Sequence, residues 1–208
     1  MERAFHPLPL RELGAAAGLR RPTQVEAARV TRESPALGVM TDLTRVSPAT
    51  IRPQAPLSGA NQFMITRGVR LLLVTDDLEN VLGLLTASDI LGERPMLVAT
   101  ERGVRRDELS VADIMTPADQ VRVVELQEVQ GARVGHVLET LRGAGCQHAL
   151  VVDFDLLPAA RPLQPAVRRA MVRGIFSASQ IARQLGVSLP AGGEVALTFS
   201  EIEAALTK

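Results

Sequence analysis

Short apolar runs, broken by glycine and closed by a hydroxyl residue, set the rhythm of this chain. The run "VLGLL" at Val81–Leu85 leads into "TASDILG", and the same alternation returns as "VRGIF" at Val172–Phe176 leading into "SASQIARQLG". Upstream of each lies a second apolar run with β-branched content, "RLLLVT" and "ALVVDF". Such runs are too short for core helices and predict buried strands. Before each comes an amphipathic stretch of helical period, "PLSGANQFMITRG" and "ARVGHVLETLRGAG". Both stretches end in Gly, the residue that a left-handed helix C-cap prefers. Earlier still, "GVMTDL" and "DIMTPA" share a Met-Thr pair.

Three blocks therefore recur in one order, which makes the chain an internal duplication. The offset between matching blocks grows along the chain, so the second copy carries insertions. The largest falls within "LLPAARPLQPAVRRAM", whose prolines and arginines predict an exposed loop. Each copy reads as Met-Thr, helix, strand, strand, helix. The last helix starts at a hydroxyl, Thr86 or Ser177, with Asp89 or Gln180 three residues on. That is the spacing of a capping box, in which either acid or amide reaches back to a free backbone N–H. Capping alone explains both pairs.

Composition narrows the function classes. The chain has 208 residues, enough for one compact unit or two small ones with a real core. Net charge is zero, so no global field recruits nucleic acid or an anionic membrane. Trp and Tyr are absent and only 5 Phe occur, which argues against base-stacking surfaces. Cys146 is the one cysteine, so an intramolecular disulfide and a cysteine metal cluster are excluded. It is read as a small core hydrophobe. His6, His136 and His148 have no ligand spacing around them, so no metal site is expected. No Gly-x-Ser-x-Gly elbow or other nucleophile–base pattern occurs, so no catalytic residue is assigned. The N-terminus lacks an apolar signal-like run and no run has membrane-span length; the expected compartment is the cytoplasm.

The order Met-Thr, helix, Gly, apolar strand, Val-x-Gly strand, then Thr/Ser-x-x-Asp into a helix resembles the cystathionine β-synthase (CBS) domain. Two in tandem resemble a Bateman module. The resemblance implies an α/β (α+β) fold of two β-α-β-β-α repeats packed with pseudo-twofold symmetry. It implies an N-terminal extension at 1–34, repeat one at 35–100, a linker at 101–110, repeat two at 111–186 with an inserted loop at 154–171, and a C-terminal extension at 187–208. It also implies a non-catalytic regulatory module. Such a module would sense an adenine nucleotide (AMP, ADP or ATP) or a related adenosyl compound as ligand, with no required cofactor.

Carried over by position, Thr86 and Asp89 would contact a ribose, whose two hydroxyls a carboxylate can accept in charge-assisted bonds. Arg70 and His148 would face phosphates, and Val46 and Ser47 would cradle adenine. The second copy departs from the pattern: Gln180 cannot accept both hydroxyls. Ser177 and Gln180 are therefore expected to form a weak second site in which the Gln keeps the helix cap. By analogy the protein would be a homodimer and would signal to a separate effector protein.

Two rival readings remain. One is a dimerisation scaffold with empty clefts. The other is a DNA-binding regulator, because "SASQIARQLGVSL" looks like the start of a helix-turn-helix. Against it, Pro190, Gly192 and Gly193 stand where the recognition helix must begin. "RELGAAAGLRRPTQVEAARVTRES" has its arginines balanced by Glu12, Glu26 and Glu33 and reads as a solvated helix or tail. The segment "GERPMLVATERGVRRDELS" reads as a charged linker with a short helix, and "TFSEIEAALTK" as a short amphipathic helix capped by Ser200 and Glu203.

Overall fold

The structure, a computed structural model, describes residues 30–157, 167–187, 200 and 202. In chain order the strands are β1 (Thr41–Asp42), β2 (Thr50–Ile51), β3 (Leu71–Thr75), β4 (Val81–Thr86), β5 (Thr116–Pro117), β6 (Val123–Glu125), β7 (His148–Leu157) and β8 (Val167–Ser177). The helices are α1 (Leu57–Arg67), α2 (Ala87–Leu91), α3 (Arg94–Arg102), α4 (Val111–Ile114), α5 (Leu126–Gly131), α6 (Val134–Gly143) and α7 (Ala178–Gln184). The two long amphipathic helices are α1 and α6. Gly68 and Gly145 follow them at φ 65° and 62°, the left-handed geometry that lets the chain turn straight into a strand.

Two four-stranded sheets form, ordered β2-β3-β4-β5 and β1-β8-β7-β6. Each is centred on the hairpin of one copy. Each is completed at its edge by the Met-Thr strand of the other copy. β1 pairs antiparallel with β8, placing Thr41 opposite Ile175 and Asp42 opposite Gly174. β5 pairs antiparallel with β4, placing Thr116 opposite Leu84 and Pro117 opposite Gly83. The lead-in turns are exchanged too. Ala36 and Val39 are buried in the core around α6 and α7, and Val111 and Ile114 in the core around α1 and α2. The hydrogen bonds repeat the symmetry: Leu57 N donates to Leu109 O and Val111 N to Ala55 O, while Ala36 N donates to Ala132 O and Val134 N to Ser34 O.

This exchange explains the recurring Val-x-Gly. A Cβ on Gly83 would lie 2.3 Å from the Thr116 backbone oxygen, and one on Gly174 would lie 2.4 Å from Met40 Sδ. The hairpin strand needs a bare backbone where the partner copy's Met-Thr segment crosses it. The duplicated glycine and the duplicated Met-Thr are two halves of one contact.

Three apolar clusters hold the arrangement. One belongs to each copy, and a third lies between the sheets, where Leu71, Leu73 and Leu150 meet Leu84, Val121 and Ile175. Fully buried side chains such as Leu72, Leu141 and Phe176 each contribute about 1.5–3 kcal/mol. Asp42 adds a bidentate ion pair with Arg173 across the exchanged strand, one arm at 3.2 Å. Its carboxyl is held down to about 2 by the Arg173 hydrogen bond first and the Thr44 hydroxyl second. Pro117 stands at the matching position of β5, so this clasp has no twin.

One expectation is corrected here. The described parts of the expected loop at 154–171 are strand: Phe154 pairs with Ala170, Asp155 with Arg169 and Leu156 with Arg168. The insertion lengthens the β7–β8 hairpin into a ribbon, with Arg168 stacked 4.0 Å over the Phe154 ring. Residues 158–166 lie outside the described residues. The short helix expected in the charged linker is α3. The C-terminal stretch contributes Ile202, which is buried in the second core. Glu203, the N-terminal stretch with Glu12 and Glu26, and Pro190, Gly192 and Gly193 lie outside the described residues.

Candidate functional site

The exchange of edge strands creates two clefts between the copies, related by the pseudo-twofold. In each, one wall is the end of a hairpin strand and the start of its closing helix. The other wall comes from the opposite copy.

The first cleft encloses about 380 Å³. Thr86, Ser88 and Asp89 line it from β4 and α2, and Thr116, Val121 and Arg122 line it from β5 and the residues that follow. Gln147 and His148 close it at the start of β7, with Leu84 and Leu150 as apolar walls. Thr86 and Asp89 form a full capping box: Asp89 Oδ2 accepts from Thr86 N at 2.8 Å and from Thr86 Oγ1 at 2.6 Å, and Asp89 N donates to Thr86 Oγ1 at 3.2 Å. Among the described residues Asp89 Oδ1 has no partner. A carboxylate oxygen has two lone pairs, so this atom is able to accept two hydroxyl hydrogens. Cys146 also lines this cleft while packing against the second core, and burial pushes its thiol up, away from the reactive thiolate.

The second cleft is smaller, about 210 Å³. Thr41 and Arg70 line it from the first copy, and Ser177, Ser179, Gln180 and Arg183 from the second, with His148 on the shared wall. Here the cap expectation fails. Ser177 makes no side-chain capping bond, and its Oγ instead meets Ser179 Oγ at 3.1 Å. Gln180 Oε1 accepts from Thr41 Oγ1 at 3.0 Å, across the copy boundary. The extra methylene of Gln carries its amide past the cap position to the exchanged strand. The next backbone bond keeps the symmetry: Ala178 N donates to Gln147 O at 2.8 Å, as Ala87 N does to Arg70 O at 2.9 Å in the first copy.

The residues singled out from sequence thus fall into different groups. Thr86, Asp89 and His148 share the first cleft. Arg70 lines the second, with Ser177 and Gln180, and His148 borders both. Val46 and Ser47 are exposed and line neither cleft. Their counterparts one copy later, Val121 and Arg122, line the first. The signal was present in the parallel Met-Thr blocks; what sequence reasoning missed was that each block serves the opposite copy. Thr41 and Thr116 were missed for the same reason, whereas Ser179 and Arg183 lie on α7 beside Gln180 but outside the Thr/Ser-x-x-Asp pattern.

His148 deserves its charge state from its surroundings: loss of solvent around the ring, then the nearby Arg70 guanidinium, lower it to about 4. It stands in both clefts as a neutral imidazole at pH 7. Among the described residues no group of three His, Cys, Asp or Glu could hold a metal ion. None of the described helices is long and apolar enough to cross a membrane.

A larger hollow, about 700 Å³, lies elsewhere, between α1, α3 and the linker. Its charges are spent internally: Arg105 is paired with Asp107, and Arg106 donates to Ile90 O at 3.0 Å. Its size therefore does not make it the site. The helix-turn-helix reading also loses ground, because Ala178, Ile181 and Ala182 of α7 are buried in the second core.

Residues 39–95 match the family described as CBS domain. No curated protein matches the chain by sequence. Among solved structures it is similar to an uncharacterized conserved protein from Pyrococcus horikoshii, at 21% identity and a TM-score of 0.50, over 78% of this chain and 100% of that one. It is also similar to the CBS-domain containing protein ATU1752 from Agrobacterium tumefaciens, at 17% identity and a TM-score of 0.47, over 70% of this chain and 93% of that one. CBSX2, solved in complex with AMP, matches at 17% identity and a TM-score of 0.46, over 72% of this chain and 94% of that one. At these identities the likeness is one of fold.

Proposed function

We propose that this chain, whose residues 39–95 match the CBS-domain family and whose second half repeats the same topology, is a non-catalytic cytoplasmic regulator. It senses an adenine nucleotide or related adenosyl compound in the first cleft. The observation that carries this reading is Asp89: its Oδ2 fixes the start of α2 while Oδ1 remains unpartnered in a cleft of ligand size. Oδ1 would accept the ribose diol. Leu84, Val121 and Leu150 would pack against the base, and Arg122 would meet a phosphate.

The cleft draws its walls from both copies, so a bound ligand favours one relative arrangement of the two sheets. That is how binding becomes a signal, provided the ligand prefers that arrangement. The output passes to a separate effector protein through a homodimer. Exposed Ile65, Leu91, Met96 and Leu97 on α1–α3 supply apolar surface for the dimer.

Thermal shift with AMP, ADP, ATP, NAD, S-adenosylmethionine and cyclic dinucleotides tests the reading. A ligand at a hundred times its Kd adds about 2.7 kcal/mol, which at this length raises Tm by roughly 5–10 °C. Asp89→Asn keeps a capping acceptor and is expected to abolish the shift. The rival scaffold reading has one observation in its favour, namely that the capping box accounts for Thr86 and Asp89 without any ligand. It prevails if no adenosyl compound moves the transition.

A further inference from the structure

The β7–β8 ribbon belongs to the second copy alone, and neither cleft uses its outer part. The first copy's hairpin turns at 76–80, directly after β3, whereas the second runs on through 153–157 and 167–171. Within the ribbon each described residue has its partner, but both outer edges outrun their neighbours. β6 follows β7 only as far as Val152. β1 follows β8 over Ile175 and Gly174, and Leu43 N donating to Arg173 O is the last bond of that line. The chain then turns aside at Thr44, whose N donates to Asp42 Oδ1.

The two edges are finished differently. Phe154 N donates to Asp153 Oδ1 at 2.8 Å instead of across the ribbon. Phe154 and Ala170 are therefore a wide antiparallel pair, whose backbone groups point out of the ribbon on either side. On the β7 edge the Asp153 carboxylate caps the outward N–H, which blunts that edge. On the β8 edge the outward N–H and C=O of Ala170 meet no further strand among the described residues. This edge is also cationic. Arg168 and Arg169 are exposed, and among the described residues neither has an ion pair. Arg168 stacks on the Phe154 ring. Asp155 stands opposite Arg169 in register, but Arg169 reaches past it to Asn80 Oδ1 at 2.6 Å. Both guanidinium groups are thus held in place with N–H donors to spare. Met171, also exposed, adds apolar surface beside them.

We propose that the β8 edge of the ribbon is a docking strand for the effector protein, which supplies an extended acidic segment that adds antiparallel to β8 in line with β1. Strand addition takes its affinity from main-chain bonds and its specificity from alternate side chains. Arg168 and Arg169 are successive residues of a strand and stand on opposite faces. The segment therefore matches them with two consecutive acidic residues, one on each face, in charge-assisted bonds. Asp153 and Asp155 on the same ribbon offset the two arginines, which disfavours a nucleic acid as the occupant. The effector is taken from the reading above, but the edge is argued without any nucleotide.

Peptide display against the full chain, with no nucleotide present, tests this. Short peptides carry a fixed central Glu-Glu, Lys-Lys or Ser-Ser pair and random residues elsewhere. The wild-type protein is expected to select the Glu-Glu set. The tightest Glu-Glu peptide is then measured by fluorescence anisotropy. Its affinity is expected to fall roughly tenfold or more in Arg168→Gln/Arg169→Gln, and again when alternate peptide amides are N-methylated. Ala170→Pro removes an outward N–H, which an edge strand tolerates; it is expected to weaken the peptide while circular dichroism stays unchanged. The N-methylated peptides put the same question to the unaltered protein. The proposal is overturned if the Glu-Glu set is not preferred, or if either N-methylation or loss of the arginines leaves binding unchanged. It is also overturned, in favour of a nucleic-acid contact, if a short single-stranded DNA binds more tightly than the peptide and depends on the same arginines. Failure of the adenosyl reading looks different: the thermal-shift series stays flat while each of these peptide results stands.

Discussion

The two clefts are assembled from corresponding pieces and differ in charge. The first sets a carboxylate, Asp89, among hydroxyls and one arginine, Arg122. The second replaces the carboxylate with Gln180 and holds two arginines, Arg70 and Arg183. Duplication fixed the frame, because the frame depends on backbone: a Met-Thr strand crossing a glycine, a hairpin, a left-handed turn. The side chains that differ, Asp89 and Arg122 against Gln180, Arg70 and Arg183, lie outside the strands and were free to diverge without opening a sheet. A copied fold is thus a poor guide to copied chemistry, and each cleft has to be read from its own side chains.

The comparison breaks most readily at the glycines. Gly83→Ala puts a Cβ against the rigid Thr116 carbonyl, whereas Gly174→Ala meets the flexible Met40 side chain. Urea denaturation is expected to show a loss of about 3 kcal/mol or more for Gly83→Ala and about 1–2 kcal/mol for Gly174→Ala. Equal losses would mean that the two exchanged strands are held equally rigidly.

His148 supplies the next effect. Its pKa is lowered from 6.5 to about 4 in the folded protein, so the unfolded chain takes up the proton first as pH falls. The stability tied to its neutral form is complete above pH 6.5 and is lost as pH drops towards 4. His148→Gln is therefore expected to flatten the stability curve across that window, measured by urea midpoints at several pH values.

Gln180→Ala removes one neutral hydrogen bond between the copies and is expected to cost about 1 kcal/mol by the same assay. A null result would mean that Thr41 finds another partner without cost. The smallest change at neutral pH belongs to Asp42→Asn, since the Arg173 pair is partly open to water. Its signature is in acid. The wild-type contribution is present above pH 3.8 and is lost as pH falls towards 2, and the variant lacks that slope.

These contrasts also mark what the amino-acid pattern discloses. The hairpin runs, the glycine-ended helices and the Thr86–Asp89 cap are local features, fixed by neighbours within a few residues, and they were readable. The partnership of Met40 with Gly174 was not, because strand pairing across half the chain leaves no local trace in hydrophobic period. That one gap accounts for naming Val46 and Ser47, rather than Val121 and Arg122, beside Asp89, and for grouping Arg70 with Asp89. The ribbon at 154–157 and 167–171 was misread for another reason. It is a solvated two-stranded extension, so its arginines resemble loop chemistry although its backbone is fully paired.

The crossing of β1 over β8 carries a consequence for how the chain is made. Met40 to Asp42 leave the ribosome long before Gly174 and Ile175 exist. At roughly 5–20 residues per second of synthesis, that short segment waits on the order of ten seconds for its sheet. Throughout that interval the Ala36–Val39 turn lacks the apolar bed it later occupies. The amino-terminal half therefore finishes folding only when the carboxyl-terminal half arrives, and a fragment cut within 103–110 would strand an edge on each side.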